Sequence, residues 1–159
     1  MSEPPVTAVD LGRIGLLEGL PTADLEALAS VASRRRLGDG DVLFAQGEPA
    51  ATLYSVVEGG LVLRASGNGR SVIVEALGPG EVVGWAAMRE GATTLSTARA
   101  TGRTVVIAIP VDPIVDLAAG GSSESRLLVR RLIGLAAEHL EASRAQLLQV
   151  GREGVITAG

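Results

Sequence analysis

The sequence predicts a mainly β domain with flanking helices. Three observations carry that prediction. Short β-branched runs separated by glycine turns fill residues 34–110, a helical repeat of leucine and alanine precedes them, and a longer helical repeat follows them.

Taken in order, residues 1–12 hold Pro4 and Pro5 and little periodicity, so they are expected as a flexible tail. Leu16, Leu17 and Leu20 lead into Pro21-Thr22-Ala23-Asp24, where a proline and an acid suit a helix N-terminus. Leu25, Leu28, Ala29 and Ala32 continue at helical spacing up to Arg34-Arg35-Arg36. About eight short strands are then expected, among them Asp41–Phe44, Leu53–Val57, Leu61–Ala65, Ser71–Leu77, Glu81–Val83, Ser96–Ala100 and Thr104–Ile109. That spacing indicates an antiparallel roll, barrel or sandwich. Asn68-Gly69 marks a tight hairpin, because both residues tolerate the positive φ of a primed turn. Gly84–Gly91 breaks the rhythm: it is alanine-rich and suits a short helix between two strands.

Residues 13–121 thus read as one β domain with N-terminal helices, 122–150 as a terminal helix, and 151–159 as a second flexible tail. Ser122 and Ser123 are candidate N-caps of the helix. Val129, Ile133, Ala136, Leu140, Ser143, Leu147 and Val150 follow a 4-3-4-3 spacing, and Leu128, Leu132 and Leu135 form a second stripe beside them. One stripe suffices to dock a helix on its own domain. Two predict that the helix also meets its twin in a parallel homodimer, the alternative being one broad buried face.

Composition removes several function classes. All fourteen basic residues are arginine, and 18 acidic residues bring the net charge to −4. There is no cysteine and one histidine, His139, so a disulfide, a thiolate metal site and a histidine-rich metal site are excluded. No nucleophile–base pair is evident, so an enzyme is not expected. The acidic balance gives no electrostatic reason to bind nucleic acid or an anionic membrane. No apolar run approaches the ~18–20 residues that span a bilayer, and Met1-Ser-Glu-Pro-Pro lacks the basic start of a signal peptide, so a soluble cytoplasmic domain is expected.

The ordered motifs resemble the cyclic-nucleotide-binding domain of the catabolite-activator and Fnr regulators, in a stand-alone form. Leu20-Pro21 with Leu25 and Leu28 is similar to that family's opening helix. Asp41–Phe44 followed by Gln46-Gly47-Glu48-Pro49-Ala50, Leu53–Gly59, and Leu77–Gly84 are similar to its strands and to the approach to its phosphate-binding cassette. The resemblance covers about residues 14–148. It implies a double-stranded β-helix, that is, a jelly-roll-like β-roll with N-terminal helices, a short cassette helix and a long C-terminal helix. The implied role is that of a regulator or sensor, and the implied ligand is cyclic AMP or cyclic GMP.

In the family's binding form the cassette reads Gly-Glu, eight residues, then Arg-Ser; the arginine forks onto the cyclic phosphate and the glutamate accepts from the ribose. Aligned without gaps from Gly84 to Ala100, across the cassette positions Ala86, Ala87 and Ser96, those three places hold Trp85, Thr94 and Leu95. Losing a buried charge partner costs about 2–5 kcal/mol of binding, and losing the ribose acceptor about 1–3 more. Together these turn a micromolar site millimolar, so cyclic nucleotide is disfavoured and weak or altered specificity is expected. Arg89, Arg99 and Arg64 are the substitutes to consider for the missing cation, each otherwise a solvated charge. Trp85 has two readings: a wall that stacks on an effector, or a plug that fills the vacated pocket. A ligand-free protein-interaction module that keeps the fold as scaffold is the alternative function, with a protein partner.

Other signals have plain readings. Arg34-Arg35-Arg36 suits a solvated strand edge, Gly78–Gly84 a turn, and Glu138 with Glu141 an exposed helix face without a pocket. His139 lies beside the heptad seam, where it is either a pH-sensitive dimer contact or a surface residue. Only Gly151–Gly159 follow the long helix, too few for the helix-turn-helix of the family's transcription regulators, so direct DNA binding is not expected.

Overall fold

The computed structural model describes residues 3–158, and side chains as far as Glu141 with His139 excepted. The chain runs α1 (Ala8–Gly12), a 3-10 turn (Gly15–Leu17), α2 (Thr22–Val31), β1 (Ser33–Leu37), β2 (Val42–Phe44), β3 (Thr52–Gly67), β4 (Arg70–Leu77), β5 (Val82–Val83), a second 3-10 turn (Trp85–Met88), β6 (Thr97–Pro110), α3 (Val111–Ala118) and α4 (Ser123–Ala158).

The six strands form one antiparallel sheet in the order β1-β6-β3-β4, with β2 also paired to β6 and β5 to β3. The expected β-roll with flanking helices is the observed fold, with fewer and longer strands. Leu53–Val57 and Leu61–Ala65 are one strand, β3, and Ser96–Ala100 joins Thr104–Ile109 in β6. Gly59-Gly60, expected as a turn between two strands, instead lies at a bulge, where the β3–β6 register slips between Val56 and Glu58 and between Glu58 and Gly60. At that crossing the backbones nearly touch: a Cβ on Gly59 would lie 2.1 Å from the Arg103 carbonyl oxygen. The buried Thr104 hydroxyl donates to the Gly60 carbonyl at 3.0 Å and holds the crossing.

The bulges also change which face a residue presents. Val56 precedes them and Leu61 and Leu63 follow, yet all three enter one cluster inside the roll, with Leu43, Phe44, Leu77, Val83, Ala98 and Val106. A second cluster lies between roll and helices, joining Leu11, Leu17, Leu25 and Leu28 to Leu53, Ile107, Ile109, Ile114, Leu128 and Leu132. Successive residues of β6 serve the two layers alternately, Val106 inward and Ile107 outward, as a pleated strand requires.

Four segments differ from expectation, wholly or in part. Residues 8–12 of the expected tail are helical, because Thr7 and Asp10 form a reciprocal capping box and Leu11 is buried. Arg34-Arg35-Arg36 lie in the edge strand β1; Arg34 is largely buried and pairs with Asp10 at 2.9 Å, while Arg35 and Arg36 keep the solvated role, Arg36 also pairing with Glu3 at 2.8 Å. Helix α3 adds to the expected elements; Pro110 and Asp112 at its start and Gly120-Gly121 beyond its end are its signals. The terminal helix begins as expected, with the Ser122 hydroxyl accepting from the Ser125 amide at 3.0 Å, and continues past 150 to Ala158. Among the described residues, no helix is long and apolar enough to cross a membrane.

Of the two stripes on α4, Leu128 and Leu132 are buried against the domain. Ile133 and Leu140 are 64% and 61% exposed, Ala136 is exposed and Val129 half-buried, so this stripe is not covered by the chain itself. The side chains of His139, Ser143, Leu147 and Val150 lie outside the described residues.

Candidate functional site

The cassette begins at Gly84, whose φ of +100° turns β5 into the 3-10 turn Trp85–Met88. A Cβ at this position would stand 2.5 Å from the Thr52 carbonyl oxygen, so glycine is required both by conformation and by space. The chain then returns along the turn after β2, through a Pro49–Thr93 bridge and a bond from the Ala50 amide to the Ala92 carbonyl at 3.0 Å.

Thr94, at the place of the family's arginine, is buried and fully engaged. Its hydroxyl donates to the Ala45 carbonyl at 2.5 Å and accepts from the Glu48 amide at 3.1 Å, while its own amide donates to the Glu48 carbonyl at 2.8 Å. Beneath it is a cavity of about 80 Å³ lined by Phe44, Glu48, Tyr54, Gly84 and Thr94 among others, with the Phe44 and Tyr54 rings stacked at 5.7 Å. No basic side chain lines it, and its volume is well under the ~300–1,000 Å³ of ordinary small-molecule sites. Arg89 and Arg64 are exposed, and Arg99 donates to the Gly40 carbonyl at 3.1 Å.

The remaining cassette positions scatter. Ala87 is buried in the core between roll and helices, Ala86 is half-buried, and Ser96 is buried. Leu95 is 74% exposed and lines neither cavity described here, because Thr94 and Ser96 on either side of it are the residues turned inward. Trp85 does not line the cassette cavity, so it is not a plug there. Its indole leaves the roll, packs against the outer cluster and donates from Nε1 to the Val82 carbonyl at 3.2 Å.

There Trp85 forms part of a much larger cleft of about 610 Å³, between the roll edge, the first 3-10 turn and α4. Leu77, Val82, Leu16 and Leu135 give it apolar walls; Glu75, Glu81, Glu138 and Arg131 are its charged residues. Arg131 is committed, its guanidinium donating to the carbonyls of Leu16 and Glu18. Glu138, read as a plain surface residue, is therefore a cleft residue. Sequence reasoning missed most of this wall because its members come from four separate segments. The one available signal was Gly134, a glycine in the middle of a helix. Among the described residues no group of histidines and carboxylates is placed to hold a metal ion.

A family model described as the cyclic nucleotide-binding domain matches residues 34–120, more than half of the chain. The chain belongs to the cyclic nucleotide-binding domain family. A cyclic nucleotide-binding-like protein from Brucella abortus shares 30% identity with this domain, with a TM-score of 0.55 over 80% of this chain and 97% of that one. A putative cyclic nucleotide-binding protein from Geobacter metallireducens has the same fold at a TM-score of 0.71 and 20% identity, over 85% of this chain and 98% of that one. The Thermus thermophilus catabolite activator protein is similar at 0.68 and 24% over 86% of this chain, which spans 62% of that regulator. No curated protein matches this domain.

Proposed function

We propose that this cyclic nucleotide-binding domain is a non-enzymatic regulatory module whose effector sits in the cleft against α4, and that α4 passes the change to a second copy of the chain. The observation that carries the reading is the contrast between two cavities. The cassette cavity holds about 80 Å³ and no cation, while the cleft of about 610 Å³ is walled by the helix itself. A ligand biases a two-state element only through contacts that differ between the states, and α4 supplies such contacts through Arg131, Leu135 and Glu138.

With Thr94 locked to Ala45 and Glu48, the cassette offers no side chain to neutralise a cyclic phosphate. Cyclic AMP, cyclic GMP and cyclic dinucleotides are expected to bind no tighter than about 10 μM in titration calorimetry. Tighter binding overturns the reading of the cassette. The scaffold alternative, a ligand-free interaction module, is favoured by the closed cassette alone; it predicts no effector in the cleft either.

A further inference from the structure

We infer that the cleft beside Trp85 takes a planar organic cation in place of the family's anionic ligand. This rests on the regulatory reading above and names the ligand class of that same site.

The first observation is that the cleft is left open by missing side chains. Gly134 lies inside α4, where glycine costs about 1 kcal/mol relative to alanine. Nothing stands within 4 Å of a Cβ placed there, so packing does not demand the gap. Gly15, across the cleft, also meets nothing within 4 Å, whereas Gly80 is glycine for its φ of +89°. Two bare backbone positions that neither packing nor a positive φ requires thus face a space of about 610 Å³, within the ~300–1,000 Å³ usual for small-molecule sites.

The second observation is the make-up of the walls. Trp85 is held by its Nε1 bond to the Val82 carbonyl, and its indole joins Leu77, Val82 and Leu135 in the lining. A fixed indole favours a flat ring and a cation above it. Among the described residues the charged lining is three carboxylates, Glu75, Glu81 and Glu138, and one guanidinium, Arg131. That guanidinium already donates from Nη1 to two carbonyls, Leu16 and Glu18, which spends part of its capacity for an anion. Glu81 accepts from the Gly78 amide at 2.6 Å and keeps its negative charge, so the net charge of these residues favours a cation.

The cleft also sits where binding can be transmitted. At 3.6 residues per turn, Arg131, Gly134, Leu135 and Glu138 lie about half a turn from the stripe of half-buried Val129 and exposed Ile133, Ala136 and Leu140. One side of α4 meets the ligand and the other is free for a partner copy.

Trp85 is the only tryptophan of the chain, so its fluorescence reports this cleft. The full chain is titrated with proflavine and berberine as planar cations, with 8-anilinonaphthalene-1-sulfonate as a planar anion, and with cyclic AMP, by calorimetry and by Trp85 emission. The expected result is that at least one cation binds with Kd below about 100 μM, at least tenfold tighter than either anion, and changes Trp85 emission. Gly134→Leu fills the cleft at a position with room for a side chain. It should weaken that binding at least tenfold without lowering the melting temperature, and Glu138→Gln should weaken it severalfold. If an anion binds in the cleft as tightly as the cations, the inference fails and the regulatory reading stands. If no probe binds, or if Gly134→Leu leaves cation binding unchanged, the cleft is not the site and the inference fails; with no probe bound at all, the regulatory reading fails with it. Cation binding that leaves the oligomeric state untouched removes the relay through α4 and keeps the inference.

Discussion

A threonine hydroxyl at position 94 does work that the family's arginine could not do in the same place. It bridges the Ala45 carbonyl and the Glu48 amide, fastening the cassette's return to the turn after β2. Thr94→Val is expected to destabilise the chain by about 1–3 kcal/mol, whereas Thr94→Ser keeps the hydroxyl and stays within about 1 kcal/mol of the parent. Urea denaturation of the three proteins checks this, and a Val variant as stable as the parent would show that the bridge contributes nothing. For the same reason, grafting an arginine at 94 removes a structural bond before it supplies a charge. At the head of the cassette, Gly84→Ala must combine a φ of +100° with a Cβ 2.5 Å from the Thr52 carbonyl oxygen. A loss of about 2–3 kcal/mol is expected by the same measurement. A variant as stable as the parent would mean that β5 and β3 separate there at little cost.

Among elements, α1 and β1 are joined by the Asp10–Arg34 pair, and this junction is sensitive to acid. The Thr7 backbone amide, then the Thr7 hydroxyl and the charges of Arg34 and Arg13, hold the Asp10 carboxyl below its ordinary value; burial opposes them. A carboxyl depressed in the folded state stabilises it above the unfolded pKa of about 3.9, and that contribution fades as pH falls through the lower folded value. Arg34 is largely buried, and its Nε has no hydrogen-bond partner, so the pair is its main compensation. Asp10→Asn is expected to cost about 1–2 kcal/mol near neutral pH, the deficit closing below about pH 4. Melting temperatures of both proteins between pH 3 and 7 test this; a deficit independent of pH would assign the loss to packing. The same junction shows what sequence reading could reach. The helical spacing of Leu25 and Leu28 and the β-branched runs were legible because each is local, and periodicity names the element. The merging of four expected strands into β3 and β6 was not, since a glycine that bulges and one that reverses the chain look alike until the facing strand is known. Nor was the cleft, whose wall joins Leu16, Glu75, Trp85 and Glu138 only after folding. The cassette stood between these cases: its place was readable from Gly84 onward, while the outward turn of Trp85 and the exposure of Leu95 depended on what Thr94 bonds.

At the scale of the whole molecule, the decisive feature is that α4 has more apolar surface than its own domain uses. Leu128 and Leu132 are buried at 0% and 7% exposure and anchor the helix to the outer cluster. On another face, Val129, Ile133, Ala136 and Leu140 repeat at the 4-3-4 spacing by which a helix pairs with a copy of itself, and the sequence carries the repeat on to Leu147. Leaving Ile133 and Leu140 at 64% and 61% exposure forgoes roughly 1–2 kcal/mol for each side chain, which a parallel pairing of two chains would recover. The arrangement would also place two clefts on the outer sides of the paired helices, each able to shift its own helix against the other. Sedimentation velocity is therefore expected to find a dimer at about 100 μM, and Ile133→Glu with Leu140→Glu to yield a monomer with an unchanged circular dichroism spectrum. Both substitutions lie on the uncovered face, so loss of the dimer without loss of fold separates the partner contact from the packing of α4 on its own domain. A parent chain already monomeric at that concentration would remove the second copy from the regulatory reading and leave the exposed stripe to a different protein.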